Sequence, residues 1–342
     1  MVLAYFLFPI IIRLLEWKQI LDTPDKRKIH EVRTPSMGGI PIFIATFFSL
    51  LIWLGGAGAN YKYLFSALTI FFIIGLRDDL IPMKPTFKLL SQLVPILLVV
   101  IFSDVRLTSF YSLIDINFNN IISILITSFT LIVITNSFNL IDGIDGLAGT
   151  IGSLILLSFG AYFYITGLLP LSFLCFAITG SLIAFLIYNW SPSRIFMGDT
   201  GALLIGFLIG CLAIYFININ FSLEASSPYK FHSSISTAIC IMIIPLTDTI
   251  RIFTIRVLNS KSPLSADSNH IHHELIKLGL NHSQSTLILG LVNLGFIGLA
   301  YFGREISDRY MLLLVLFIAS SLLGILKLII SRKAQTQKRS IQ

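Results

Sequence analysis

The sequence predicts an all-α, polytopic membrane bundle of about eleven transmembrane helices, ten at the lower count, with the N-terminus outside and the C-terminus cytoplasmic. Three observations carry this. Of 342 residues, 55% are hydrophobic and 12% charged, about half the charge of a soluble chain, and the mean hydropathy is +0.87. The apolar residues gather in runs of roughly 15 to 22 between short polar pieces, the length a helix needs to cross hydrocarbon. The basic residues of the short connections fall mainly on one side of the resulting topology. A single integral-membrane domain covers 1–342, with a short basic tail at 331–342.

The first run, 1–15, has neither a basic lead nor a small-residue cleavage site, so it reads as a span and not as a removable signal peptide. Further spans are expected at 37–54, 61–76, 88–103, 119–135, 147–166, 170–188, 201–218, 234–250, 285–302 and 310–330. Alternate connections then lie on opposite sides. One set (16–36, 77–87, 136–146, 189–200, 251–284 and the tail) holds Lys18, Lys26, Arg27, Lys28, Arg33, Arg77, Lys84, Arg194, Arg251, Arg256, Lys261 and Lys277, besides four basic residues of the tail. The other set holds only Arg106, Lys230, Arg304 and Arg309. The first set is therefore cytoplasmic. The formal charge of +7 is thus explained by membrane topology, and a nucleic-acid partner is not expected. Cys175, Cys211 and Cys240 lie inside apolar runs without CxxC spacing and read as small buried hydrophobes.

Every chemically suggestive residue falls in the cytoplasmic set. TNSFNLIDGIDGLAG, 135–149, spaces Asn136, Asn139, Asp142 and Asp145 three apart. In a helix that step drifts by about 60°, so three successive members share a broad face. Carboxylates and carboxamides beside Gly143, Gly146 and Gly149 suit a hard divalent cation and a polyanion, whereas a mere polar connection has no reason to keep this register. Asp78 and Asp79 in GLRDDL must lie where a span meets water, because mid-bilayer carboxylates cost about 2.5–3.5 kcal/mol each. There they suit a divalent cation or general-base work, with Lys84 and Lys88 just beyond; a solvated helix end is the plain alternative. Asp199 and Thr200 in FMGDTG open the next span, where backbone N–H groups face a ligand. Asp199 is expected to ligate Mg²⁺ while Thr200 caps the helix. NHIHHEL holds His270, His272 and His273 without the zinc-protease spacing, so the histidines are expected to bind phosphate or sugar hydroxyls. DTPDKRKIHEVRTPSMGG, 22–39, is too basic and too Pro/Gly-punctuated for a helix; its cations suit a nucleotide or lipid phosphates.

These motifs, in order from about residue 22 to 274, resemble the polyprenyl-phosphate N-acetylhexosamine-1-phosphate transferases. The carriers are D-x-P-D-x-R-K-x-H with a Gly pair, the Asp-Asp ending a span, N-x-x-N-L-x-D-G-x-D-G-L-A, F-M-G-D-T-G, P-L-x-D-T and H-I-H-H. The resemblance implies a multi-pass enzyme of the bacterial inner membrane with its site facing the cytoplasm. It also implies dependence on Mg²⁺, for which Mn²⁺ substitutes. The reaction implied moves a sugar-1-phosphate from a UDP-N-acetylhexosamine to undecaprenyl phosphate, releases UMP, and starts a lipid-linked envelope glycan. By the same resemblance Asp199 and Asn139 contact Mg²⁺, and Asp78 with Asp79 beside it is the acid nearest the lipid phosphate. Lys88 holds a phosphate, Asp142 lies in the catalytic pocket, and Asp145 and Phe196 meet the uridine. His272 and His273 close the pocket, while Asn136, Lys28, His30, Arg256 and His270 line the substrates. A homodimer is compatible with the sequence. Asp248, Arg251, Arg256 and HIHH look like the branch using simple UDP-N-acetylhexosamines, most often UDP-GlcNAc, more than the phospho-MurNAc-pentapeptide branch with its P-x-H-H-H. Asp267-Ser-Asn-His departs from the usual Asp-Arg-x-His by a lost cation near the donor.

Two other classes fit less well. A secondary transporter carries ionisable residues near the midplane on broken helices, where this chain is almost uniformly apolar. A CDP-alcohol phosphotransferase needs further aspartates four apart, and none occurs between Asp145 and Asp199.

Overall fold

Thirteen helices and one two-residue antiparallel pair make up the described part of the chain, residues 1–22, 34–55, 60–103, 105–260 and 270–341 of a computed structural model. In order they are α1 (Val2–Trp17), β1 (Leu21–Asp22) paired with β2 (Thr34–Pro35), α2 (Gly39–Trp53), α3 (Lys62–Leu80), α4 (Pro85–Phe102), α5 (Asn120–Leu140), α6 (Leu147–Ile165), α7 (Leu169–Asn189), α8 (Gly198–Ser222), α9 (Ser234–Ile241), α10 (Ile243–Leu258), α11 (Ile271–Lys277), α12 (His282–Phe302) and α13 (Asp308–Ile341).

Seven of these are long and apolar enough to cross a bilayer: α4, α5, α6, α7, α8, α12 and the part of α13 up to Lys333. An eighth is α9 with α10, if that bent pair counts as one span. The expected eleven also include α1 and α2, which are only 16 and 15 residues long, and α3, which ends in Arg77, Asp78 and Asp79. These three are short or charged for a span, and the count rests on them.

The centre of the bundle is α8, whose apolar stretch is 83% buried. A helix enclosed all round has no use for a polar face, and from Ala202 to Phe216 it carries none but Tyr215. It packs between α3 and α5, with α2, α6 and α9 around it. At the α3 crossing a Cβ on Gly75 would sit 2.4 Å from the Asp199 carbonyl oxygen and 2.5 Å from the Thr200 Cα. Only glycine lets the two backbones approach so closely, and this contact brings the end of α3 against the start of α8.

The straight span expected at 234–250 is broken. The chain bends by 86° between α9 and α10. Pro245 has no N–H to give Ile241, four residues back, so the helix loses that bond. The Asn293 side-chain amide of α12 donates to the Ile241 carbonyl instead, at 3.3 Å. This is the usual remedy for an interrupted helix inside hydrocarbon. Beyond the bend α10 continues to Leu258, so Arg251 and Arg256 lie on a helix and not in the expected loop.

Candidate active site

The polar residues converge at one end of the bundle. Asp78 and Asp79 leave the last turn of α3, Lys88 the first turns of α4, and Asp199 the first turn of α8. Lys88 Nζ lies 3.0 Å from Asp78 Oδ2 and 2.6 Å from Asp199 Oδ1. The two carboxyl groups are also within hydrogen-bonding reach of each other. Asp78 Oδ1 accepts the Met83 N–H at 2.5 Å. Residues 121 apart in sequence thus share one ammonium ion, 17% exposed, with Asp199 (26%) more open than Asp78 (6%).

Asp79 has a different place from its neighbour. Its carboxylate accepts the Asp199 N–H at 2.8 Å, the Thr200 N–H at 2.9 Å and the Thr200 hydroxyl at 2.5 Å. It caps α8 from another helix, which corrects the expectation that Thr200 would do so. The favourable N-terminal pole of α8 adds to this attraction. Both oxygens are engaged, so Asp79 fixes Asp199 and does not face the cluster.

The Asn/Asp row is not one helical face. α5 ends at Leu140, and a turn closed by Gly146 at φ +79° follows. Asn136 and Asn139 therefore sit on the helix, and Asp142 and Asp145 on the turn. Asn136 pairs with the buried Gln92 of α4, donating to its side-chain oxygen at 2.8 Å. Asn139 is half-buried, and its carbonyl accepts the Asp142 N–H at 3.3 Å. The Asp142 carboxylate accepts the Gly198 N–H beside Asp199. Burial, and then the negative charge of Asp199, push its pKa up to about 7. Asp145 is buried and pairs with His282 at 3.2 Å.

The histidines dock on this turn. Asp248 accepts the Ile271 N–H at 2.8 Å and meets His270 Nδ1 at 2.7 Å, so it starts α11 and orients its first ring. His270 and His272 lie parallel, 5.5 Å between centroids, and His273 is 4.4 Å from His272. A Cβ on Gly143 would be 2.3 Å from His272 Nε2. That nitrogen is buried with no hydrogen-bond partner among the described residues. Burial, and then the neighbouring His273, hold the His272 pKa down at about 3, so this imidazole is neutral. Burial, and then the neighbouring His270, lower His273 as well.

The remaining expected residues stand apart from this centre or outside the described chain. Phe196 is half-buried; its N–H donates to the Pro35 carbonyl and its own carbonyl accepts the Gly38 N–H, joining β2 to the approach of α8. Arg256 is buried on α10 with its guanidinium 5.9 Å above the Phe253 ring. Lys28, His30, Lys261 and Asp267 lie outside the described residues.

Asn189, His282 and Thr286 went unread in the sequence. Asn189, at the end of α7, accepts the Gly146 N–H at 2.9 Å and donates to the Ile195 carbonyl at 2.8 Å, tying the turn to the approach of α8. Thr286 donates its hydroxyl to the Asp145 carbonyl at 2.9 Å, beside the His282 contact. An Asn ending an apolar run (YNW) and a polar start to α12 (NHSQST) were the available signals.

Among the described residues no three His, Cys, Asp or Glu side chains form a ready metal cage. Two facing carboxyls bridged by an ammonium are nevertheless a place that requires positive charge. With the Asp142 carboxylate beside Asp199, the donor set is all oxygen, which suits a hard divalent cation that keeps waters or phosphate oxygens as its other ligands.

An apolar bundle with such a cluster confined to one end defines a membrane-embedded enzyme that handles charged groups at its surface. Residues 61–217 match the model of glycosyl transferase family 4. The chain is 34% identical over 305 residues to a probable undecaprenyl-phosphate N-acetylglucosaminyl 1-phosphate transferase of Bacillus subtilis, covering 84% of this chain and 78% of that protein. It is 27% identical to an undecaprenyl-phosphate α-N-acetylglucosaminyl 1-phosphate transferase of Yersinia pestis (80% and 73% covered). Identity is also 27% to a decaprenyl-phosphate N-acetylglucosaminephosphotransferase of Mycolicibacterium smegmatis (82% and 73%). The chain belongs to glycosyl transferase family 4 and is a transferase.

Proposed function

We propose that the protein transfers N-acetylglucosamine-1-phosphate from UDP-GlcNAc to undecaprenyl phosphate and releases UMP. The observation that carries this is the Asp78–Lys88–Asp199 cluster at the end of an apolar bundle, in a chain whose relatives bear that activity in their names. An oxygen of the lipid phosphate attacks the β-phosphorus of the donor, and the bond from that phosphorus to the bridging oxygen of UMP breaks. Both reactants are anions. At about 4 Å each pair of unit charges repels by about 4 kcal/mol in a site of effective dielectric near 20, so positive charge must be present before they meet. Lys88 supplies one such charge. Bound Mg²⁺, held by Asp199 with Asn139, would supply the rest by neutralising pyrophosphate oxygens. Asp78 is the acid nearest the lipid side and the base that would take a proton from the acceptor. Neutral His272 and His273, carried by α11 over Gly143, would donate hydrogen bonds to donor oxygens without the cost of burying a charge.

The same reading sets the cluster at the cytoplasmic face of a bacterial inner membrane, with the N-terminus outside. α1, α2 and α3, added to the seven long helices and the bent pair, make up eleven spans. The Lys/Arg bias of the connections supports that orientation. The test is an assay of the purified protein with Mg²⁺, undecaprenyl phosphate and either labelled UDP-GlcNAc or UDP-MurNAc-pentapeptide. UMP release with the first and not the second is the expected result. Release only with the second would move the chain to the other branch, and release with neither would refute the activity.

A further inference from the structure

Lys88 holds a position that a phosphate-binding lysine would not hold during turnover. Its ammonium lies directly between the two acids, 3.0 Å from Asp78 Oδ2 and 2.6 Å from Asp199 Oδ1. We propose that Lys88 is an exchangeable counter-ion: its ammonium holds the place of the divalent cation between Asp78 and Asp199, and cation loading drives it off Asp199 toward the phosphates. The proposal rests on the cation reading given above.

Three observations support it. One ammonium touches both carboxylates, at 3.0 and 2.6 Å, so the two acids already converge on a single cation-sized place. A divalent ion on Asp199 would face an ammonium bound to the same carboxylate, and like charges that close repel strongly. Lysine is also suited to moving, as a point charge on a flexible four-carbon stem; the stem starts on the rigid first turns of α4 and its end is partly exposed. Asp79 takes no part in the exchange, since its oxygens stay on the α8 backbone.

Exchange would also deliver a positive group to the phosphates as the cation binds. The bland alternative is a fixed ion pair that braces α4 against α8 and ignores the metal.

Mn²⁺ binding to the purified full-length protein, followed by electron paramagnetic resonance without nucleotide, separates the two. In the Lys88→Met variant the Mn²⁺ dissociation constant should fall by about tenfold or more, because a site blocked most of the time binds more weakly by the fraction that is free. Equal or weaker binding in a folded variant would overturn the exchange. Because Lys88→Met leaves two acids without their counter-ion, the native protein supplies a second readout. Mass-spectrometric amine labelling at Lys88 should rise with saturating Mg²⁺, and should not respond in Asp199→Asn. Flat or falling labelling in the native protein overturns the exchange alone, provided that Mn²⁺ binds the native protein and not Asp199→Asn. If native protein and Lys88→Met both fail to bind Mn²⁺, or Asp199→Asn binds as well as native, the cation reading fails and the exchange with it.

Discussion

Asp79 has the residue type and the location of a metal ligand, and its contacts give it another task. Three donors at the start of α8 converge on its carboxylate. An amide in its place accepts with one oxygen only and turns an N–H₂ toward N–H donors. Asp79→Asn should therefore lower thermal stability by about 1–2 kcal/mol, in the range of a lost helix cap. Mn²⁺ affinity should be weakened far less than in Asp199→Asn; equal loss in the two variants would make Asp79 a ligand. His272 offers a pH test at the same scale. Its folded pKa, about 3, lies below the ordinary 6.5, so between those values the unfolded chain binds the extra proton. Its contribution to stability is present above about 6.5 and is lost as pH falls toward 3, by up to about 1.4 kcal/mol per pH unit. His272→Gln should flatten that part of an acid-unfolding profile; an unchanged slope would mean that the ring is hydrated and protonates in the fold.

At the scale of elements, the site is built by helix ends. α8 opens where α3 stops, and Gly75 sets how closely they meet. Gly75→Ala would place a methyl 2.4 Å from the Asp199 carbonyl oxygen, so one helix must shift. Overpacking of this kind costs about 1–3 kcal/mol. The shift would also part Asp78 and Asp79 from Asp199, so both thermal stability and transfer should drop together; near-native activity would show that the crossing can give without moving the acids. The bend after Ile241 follows the same logic. Pro245 was visible in the sequence, but a proline is tolerated in many membrane helices without a sharp bend. Nothing local to IMIIPL specified that Asn293 of a distant helix would take over the orphaned carbonyl.

For the whole molecule, the division into apolar helices with chemistry at one end was legible, because hydropathy and the side of the basic residues act over long stretches. The gathering of Asp78, Lys88 and Asp199 was readable only as a convergence of motif types, since the distances depend on how α3, α4 and α8 cross. The three-residue register of Asn136, Asn139, Asp142 and Asp145 was misleading. It implied one continuous face, whereas α5 stops at Leu140 and the carboxylates ride a turn that Gly146 closes with a left-handed conformation. Asn136 illustrates the limit: its amide is as suited to Gln92 as to a ligand, and only the packing of α4 on α5 decides between them.

The most direct test is crystallographic. Mn²⁺ would be soaked into crystals of the full-length protein, and its anomalous scattering mapped. The expected result is one strong peak in contact with the Asp199 carboxylate, at the place where Lys88 now bridges it to Asp78. A peak bound elsewhere with Asp199 still paired to Lys88, or no peak at saturating Mn²⁺, would contradict the claim that these acids from separate helices form one cation site.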